Sequence, residues 1–253
     1  MTPTLAVLAA DPLDDLRALL ERVREQREGV LGVEPGLISG GEADWTPAAE
    51  LAREPYDTLD TWIDATARRW GAPRHVGAAL LWKAYAYWHA MPMALGWALN
   101  RRVPIMPFDR TVARESPAGV TVAATSITVA VLPDDPYAGR PGTVTVPDLG
   151  AAVREALLAG QGPLIDALTR LTRVGTRPLW GSTAEALVQP LYGFADVLPG
   201  DPAVDAAALL DSIGGPVRDL VTFTPGGYRR RTCCLWLTLP DAQACSTCCA
   251  LRG

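Results

Sequence analysis

The chain has 253 residues, 49% of them hydrophobic, with 23 basic and 28 acidic side chains and a formal net charge of -5. That length and apolar content allow one large domain or two small ones whose core needs no disulfide staples. The acidic balance, with no basic stripe, argues against a general nucleic-acid binder.

Met1 to Ala10 is apolar, but no Lys or Arg precedes the apolar run and Asp11, Asp14 and Asp15 follow it. This is a poor secretory signal, and a cytoplasmic protein is expected. Pro12 to Glu28 places Leu13, Leu16, Leu19, Leu20 and Val23 at helical spacing, which predicts an amphipathic helix. Gly29 to Asp44 is glycine-rich and reads as a loop. Thr46-Pro47 predicts a helix start with Thr as N-cap, running to about Arg53. A second helix is expected from Thr58 to Trp70. The long apolar run from Pro73 to Asn100 reads as a helix kinked or split at Pro92, with Arg101 and Arg102 available to its negative C-terminal end. Lys83, His89 and Pro92 interrupt this run, so a buried core helix is favoured over stable membrane insertion.

Gly119 to Leu132 is rich in Val, Thr and Ile and predicts two strands joined near Ala124 to Ser126. Pro133 to Gly142 reads as a turn region. Further helices are expected from Pro147 to Arg173, interrupted at Gly160 to Pro163, then from Ser182 to Gln189 or beyond, and from Pro202 to Ile213. Leu220 to Phe223 and Leu235 to Leu239 read as short strands. The expected fold class is α+β, mostly helical with a small antiparallel sheet. Its organisation is a helical and sheet domain over residues 1–215 with a cysteine-bearing segment, 216–253, packed on it.

All five cysteines lie between Cys233 and Cys249. Cysteines that act as small hydrophobes scatter through a core, whereas a tight group of soft thiolates suits a metal centre. Cys233, Cys234, Cys245 and Cys248 form the pattern C-C-x10-C-x2-C. The Cys245–Cys248 loop can turn two sulfurs toward one centre. Cys233 and Cys234 can share a site only if the backbone turns there, because neighbours on a strand face opposite ways. Pro240-Asp241 offers the reversal between the two pairs. Spacing alone leaves open a [2Fe-2S] cluster, a zinc site and a redox-active thiol tail. The missing first C-x2-4-C knuckle weighs against zinc.

The cysteine pattern, preceded by Tyr228-Arg229-Arg230-Arg231, resembles the C-terminal signature of FhuF-like ferric-siderophore reductases. Arg177-Pro178-Leu179-Trp180-Gly181-Ser182-Thr183-Ala184 is similar to an internal LWGN-type segment of that family, and Leu80-Leu81-Trp82 through Pro92-Met93 resembles its apolar helix. The likeness runs over roughly residues 75–253. It implies a [2Fe-2S] cluster on Cys233, Cys234, Cys245 and Cys248, with no catalytic residue beyond the cluster. It also implies one-electron reduction of siderophore-bound Fe(III), often hydroxamate-bound, to Fe(II). The family commonly has proline after the last cysteine, where this chain has Cys249; the matching spacing assigns the ligand role to Cys248.

No G-x-G-x-x-G follows a strand, so the electron is expected from a separate donor such as a ferredoxin, a flavodoxin or a reductase. Arg229, Arg230 and Arg231 are candidates for offsetting the negative cluster charge, or for docking a donor or an anionic siderophore. His75 and His89 read as structural. Trp82, Tyr85, Tyr87, Trp88 and Trp97 read first as core and second as a rim for a siderophore. Trp180 reads as packing, and Trp236 as a shield over sulfur. The rival readings are an iron–sulfur electron-transfer or redox-sensing protein without a siderophore site, and a zinc-stabilised binding module.

Overall fold

The computed structural model describes residues 11–26, 31–39 and 44–251. The N-terminal run Met1 to Ala10 and the end of the first predicted helix at residues 27–28 lie outside them. The helices are α1 (Asp14–Gln26), α2 (Ala48–Leu51), α3 (Asp57–Arg69), α4 (Arg74–Asn100), α5 (Leu149–Leu171), α6 (Thr176–Gly193) and α7 (Pro202–Ile213). The strands are β1 (Val33–Ile38), β2 (Thr46–Pro47), β3 (Val103–Ile105), β4 (Thr111–Ser116), β5 (Gly119–Ala124), β6 (Thr128–Val131), β7 (Thr143–Thr145), β8 (Val221–Thr224) and β9 (Gly227–Arg230). This is the expected α+β class.

Helix α4 is the axis of the molecule. Its sequence is apolar on every side, as a helix enclosed by other elements requires, and it is buried from Val76 through Trp82 and again from His89 through Trp97. It packs along α6 and against α1, α3, β3 and β5. It runs unbroken through Pro92, contrary to the predicted split. A helical proline forfeits a main-chain bond at a cost of about 3 kcal/mol, and full burial of Met91, Met93, Ala94 and Leu95 outweighs that. Pro163 in α5 is absorbed in the same way, so the expected interruption there is also absent. Among the described residues, no helix is long and apolar enough to cross a membrane.

The strands form three small sheets instead of one antiparallel sheet. The first has the order β1-β5-β4-β2, with β1 parallel to β5 and the other pairs antiparallel. The second, β3-β6-β7, pairs β6 with β7 in parallel. The third is the β8–β9 hairpin. The two predicted strands of Gly119–Leu132 form, but they part into different sheets. Part of the predicted glycine-rich loop is β1, whose buried Val33 and Leu37 reach the core. Thr46-Pro47 pairs with β4, and the helix expected there follows as the short α2, with Pro47 and not Thr46 at the N-cap position. Arg101 pairs with Asp205 and lies over Trp97; Arg102 pairs with Asp135 and lies over Tyr137.

A buried polar chain ties α4, α5 and α6 together. Thr183 Oγ1 donates to Gln161 Oε1 at 2.7 Å, and Gln161 Nε2 lies 3.1 Å from His89 Nδ1. The Tyr85 ring stacks on His89, and a Cβ at Gly160 would sit 3.3 Å from the imidazole. Burial pushes the His89 pKa down to about 4 from its ordinary 6.5. This histidine is structural, as expected, whereas His75 is exposed.

Because the folded state holds His89 neutral, unfolding takes up a proton below pH 6.5 and acid favours the unfolded chain. Its contribution is present above pH 6.5 and is lost as pH falls toward 4. Urea denaturation of the wild type is expected to lose about 2 kcal/mol between pH 7 and pH 5 from this group alone. His89→Gln, which cannot titrate, is expected to show a correspondingly flatter pH dependence.

Candidate metal centre

The cysteine segment leaves the sheet at β9. The Arg230 N–H donates to the Thr247 carbonyl at 2.9 Å, and the Arg231 N–H to the Leu220 carbonyl at 2.8 Å. The outgoing chain is thus held by the returning cysteine loop on one side and by the body on the other. Thr232 then presses on α6 at Gly181. A Cβ there would lie 1.8 Å from Thr232 Oγ1, so only glycine permits this approach.

Cys233 and Cys234 come next, and the backbone turns just after them. Leu235 takes a left-handed conformation, φ 65°, and a 3-10 turn, Trp236–Thr238, follows. The predicted strand Leu235–Leu239 does not form. The reason is local: the left-handed residue reverses the chain, and Leu239 packs instead with Val76 and Leu80 at the start of α4. Pro240-Asp241 supplies the second reversal, with Asp241 at φ 58°. The Trp236 indole donates to the Gln243 carbonyl at 3.1 Å and meets Trp70 edge to face at 5.0 Å.

The returning loop closes a tight turn, in which the Cys248 N–H donates to the Cys245 carbonyl at 3.0 Å. Two sulfurs accept main-chain hydrogen bonds from the residue two positions on: Leu235 N–H to Cys233 Sγ at 3.3 Å, and Ala250 N–H to Cys248 Sγ at 3.5 Å. Cys234 and Cys248 are buried, Cys233 and Cys245 half-buried, and Cys249 exposed. Cys245 Sγ lies 3.5 Å from Thr247 Oγ1. Partial burial, followed by the charges of the nearby Cys233 and Cys248, pushes the Cys249 pKa up. The fold therefore brings Cys233 and Cys248 from opposite ends of the segment to a common neighbour, the one thiol left outside the expected ligand set. Among the described residues, no group of three or more His, Cys, Asp and Glu side chains converges tightly enough to enclose a single metal ion. A two-iron cluster makes a different demand, because it spreads its four thiolates over two irons.

Glu185 is the hub behind the loop. Its Oε2 accepts from Arg230 Nη1 at 2.7 Å and from Lys83 Nζ at 2.9 Å, and its Oε1 accepts from Thr247 Oγ1 at 2.9 Å. Arg230 Nη2 also donates to Ser182 Oγ at 3.0 Å, while its Nε has no partner among the described residues. The Glu185 and Arg230 side chains are 4% and 1% exposed, which makes this a buried ion pair. Burial, then the Glu185 charge, pushes the Tyr228 phenol well above the ordinary tyrosine range. The three arginines thus part company. Arg230 is locked inside, Arg229 reaches the Leu251 carbonyl, and Arg231 is exposed.

Two cavities flank the hub. One, of about 620 Å³, lies between α3, α4, the β4–β5 turn, α6 and Trp236. The other, of about 550 Å³, shares Lys83, Glu185 and Gln189 with it and is lined on its far side by Cys245, Ser246 and Thr247.

No family model matches this chain, and no curated protein matches it at a significant level. The FhuF-like resemblance therefore stands on the cysteine spacing and the two internal patches. Sequence reasoning had passed over Glu185 and Thr247, and had used Lys83 only as a charge against membrane insertion. A signal was present for Glu185 and Lys83: each is the single charged residue within a long apolar helical run.

Removing one partner of a buried ion pair strands the other charge, at about 3–5 kcal/mol. Glu185→Gln is expected to destabilise the protein by that order in chemical denaturation. Adding Arg230→Met to it is expected to recover a large part of the loss. Wild-type stability in Glu185→Gln would contradict the hub role.

Proposed function

We propose that the chain is a one-electron redox protein holding a [2Fe-2S] cluster on Cys233, Cys234, Cys245 and Cys248. More particularly, we propose a cytoplasmic ferric-siderophore reductase that converts siderophore-bound Fe(III), of the hydroxamate type, to Fe(II). The observation that supports this reading is the matched pair of N–H···S bonds on Cys233 and Cys248, which holds one sulfur from each end of the segment in a fixed turn. The donor set fits the group: soft thiols confined to one segment, two of them buried, with the Arg230–Glu185 ion pair fixed behind the loop through Thr247.

When bound, such a cluster supplies low-potential single-electron exchange, the chemistry that turns Fe(III) held by hard oxygen ligands into weakly held Fe(II). The protein's own residues do the rest. Leu235 and Ala250 N–H groups orient the sulfurs of Cys233 and Cys248. Arg230 brings positive charge close behind the loop, and Glu185 fixes it there while holding Thr247 in place. Trp236, anchored on Gln243 and Trp70, covers one side of the loop. The electron comes from an external ferredoxin, flavodoxin or reductase. One electron enters from that donor for each ferric ion reduced, and Fe(II) and the free chelator leave.

Anaerobic reconstitution with ferrous iron and sulfide is expected to give a brown-red protein with iron and sulfide in equal amounts. Cys248→Ser is expected to lose the normal cluster spectrum and Cys249→Ser to keep it. Dithionite-reduced protein mixed with a ferric hydroxamate is expected to reoxidise while an Fe(II) trap colours. A colourless protein that takes up zinc alone would overturn the cluster. A normal cluster that ferric hydroxamates leave reduced would point instead to an electron carrier or redox sensor.

A further inference from the structure

The larger cavity takes no part in holding the thiols, yet it shares a wall with them. Its volume, about 620 Å³, falls inside the range of ~300–1,000 Å³ usual for small-molecule sites. Its walls are chiefly apolar, with Leu80, Leu81 and Ala84 from α4, Val120 from β5 and Ala186 from α6. Three aromatic side chains, Trp70, Tyr87 and Trp236, frame it, and Trp70 is a 43%-exposed hydrophobe at its edge.

The polar groups are few and placed. Lys83 carries three donors; its ion pair with Glu185 leaves others to offer. Arg69 is fixed at the rim by Glu115 and the Ser116 carbonyl. The Thr66 hydroxyl, in the lining, has no partner among the described residues. Apolar walls reject a ligand with large uncompensated charge. A polyphosphate would bring several negative charges against two cations that already have carboxylate partners. A chelate whose monoanionic oxygen arms cancel the charge of Fe(III) meets neither objection. It is neutral overall, its oxygens accept from Lys83, and its linkers are apolar.

Position supports the same occupant. Trp236 stands two residues beyond Cys234, and Lys83, Glu185 and Gln189 line both this cavity and the one that contains Cys245. Those three side chains are a wall common to the two cavities. The geometry points to this cavity as the seat of a charge-neutral, oxygen-ligated ferric chelate with apolar arms, held among Trp70, Tyr87 and Trp236 with Lys83 donating to its oxygens. The assignment rests on the reductase reading above and gives that reaction its substrate site.

The probe is the Ga(III) complex of a linear trihydroxamate, which copies the ferric chelate but accepts no electron. Binding to the full-length, cluster-loaded protein is followed by tryptophan fluorescence and by calorimetry. Ala118 sits exposed on the β4–β5 turn at the lip of the cavity, so Ala118→Trp obstructs the mouth without touching the core. Saturable binding is expected in the wild type, weakened by about tenfold or more in Ala118→Trp and in Lys83→Gln. Val204→Ala, at a remote exposed position on α7, is expected to bind as the wild type does. Unchanged affinity in both cavity variants overturns the cavity and leaves the reductase reading standing. The same follows if the wild type ignores the gallium chelate while the ferric chelate still reoxidises the reduced protein. Failure of both binding and reoxidation removes cavity and reductase together.

Discussion

A single carboxylate, Glu185, links the four parts of the molecule that must act together. It sits in an otherwise apolar stretch of α6 and takes one cation from α4, one from β9, and a hydroxyl from between Cys245 and Cys248. Burying a charge is expensive unless every lone pair is used. Here the expense fixes geometry: with Arg230 and Thr247 both committed to one carboxylate, the two ends of the cysteine segment cannot drift apart. Gly181, one turn earlier on α6, lets Thr232 come close enough for this to happen.

The surrounding structure makes that hub rigid. Helices α4 and α6 are apolar along most of their length and pack on one another, so Lys83 and Glu185 are presented from stiff supports. The Trp82 indole donates to the Leu179 carbonyl at 2.9 Å, and the Thr183–Gln161–His89 chain braces the same helices a little further in. The prolines in α4, α5 and α6 are tolerated for the same reason. Burial on all sides makes the helical path cheaper than a break.

This explains which features were legible in the sequence. Periodic apolar helices were: α1, α3 and α7 follow their hydrophobic spacing, and the α+β class with them. Helix α6 was read only from Ser182, because Pro178, Gly181 and Gly175 obscure its first turns. Strands β1, β2, β3, β4, β7 and β9 were not read from the sequence; β1, β2 and β3 carry a proline, β2, β3 and β7 are two or three residues long, and most of them pair with strands distant in sequence. A turn after Cys234 was expected only if the paired cysteines share one site; a left-handed leucine and a 3-10 turn stand there in place of the strand that the apolar letters suggested. Trp236 was expected over sulfur; it stands between the cysteine loop, Trp70 and the large cavity.

By itself the sequence determined that the thiols gather in the C-terminal segment, because clustering and spacing of cysteines are local properties carried by the order of residues. It also determined the helices, whose hydrogen bonds close within four residues. Tertiary structure alone decided what surrounds the thiols. Arg230 could be recognised as a buried partner and not a solvated charge only once Glu185, 45 positions away in sequence, had been brought beside it. Electrostatic pairing acts through space, and its strength is set by burial that no short stretch of sequence records.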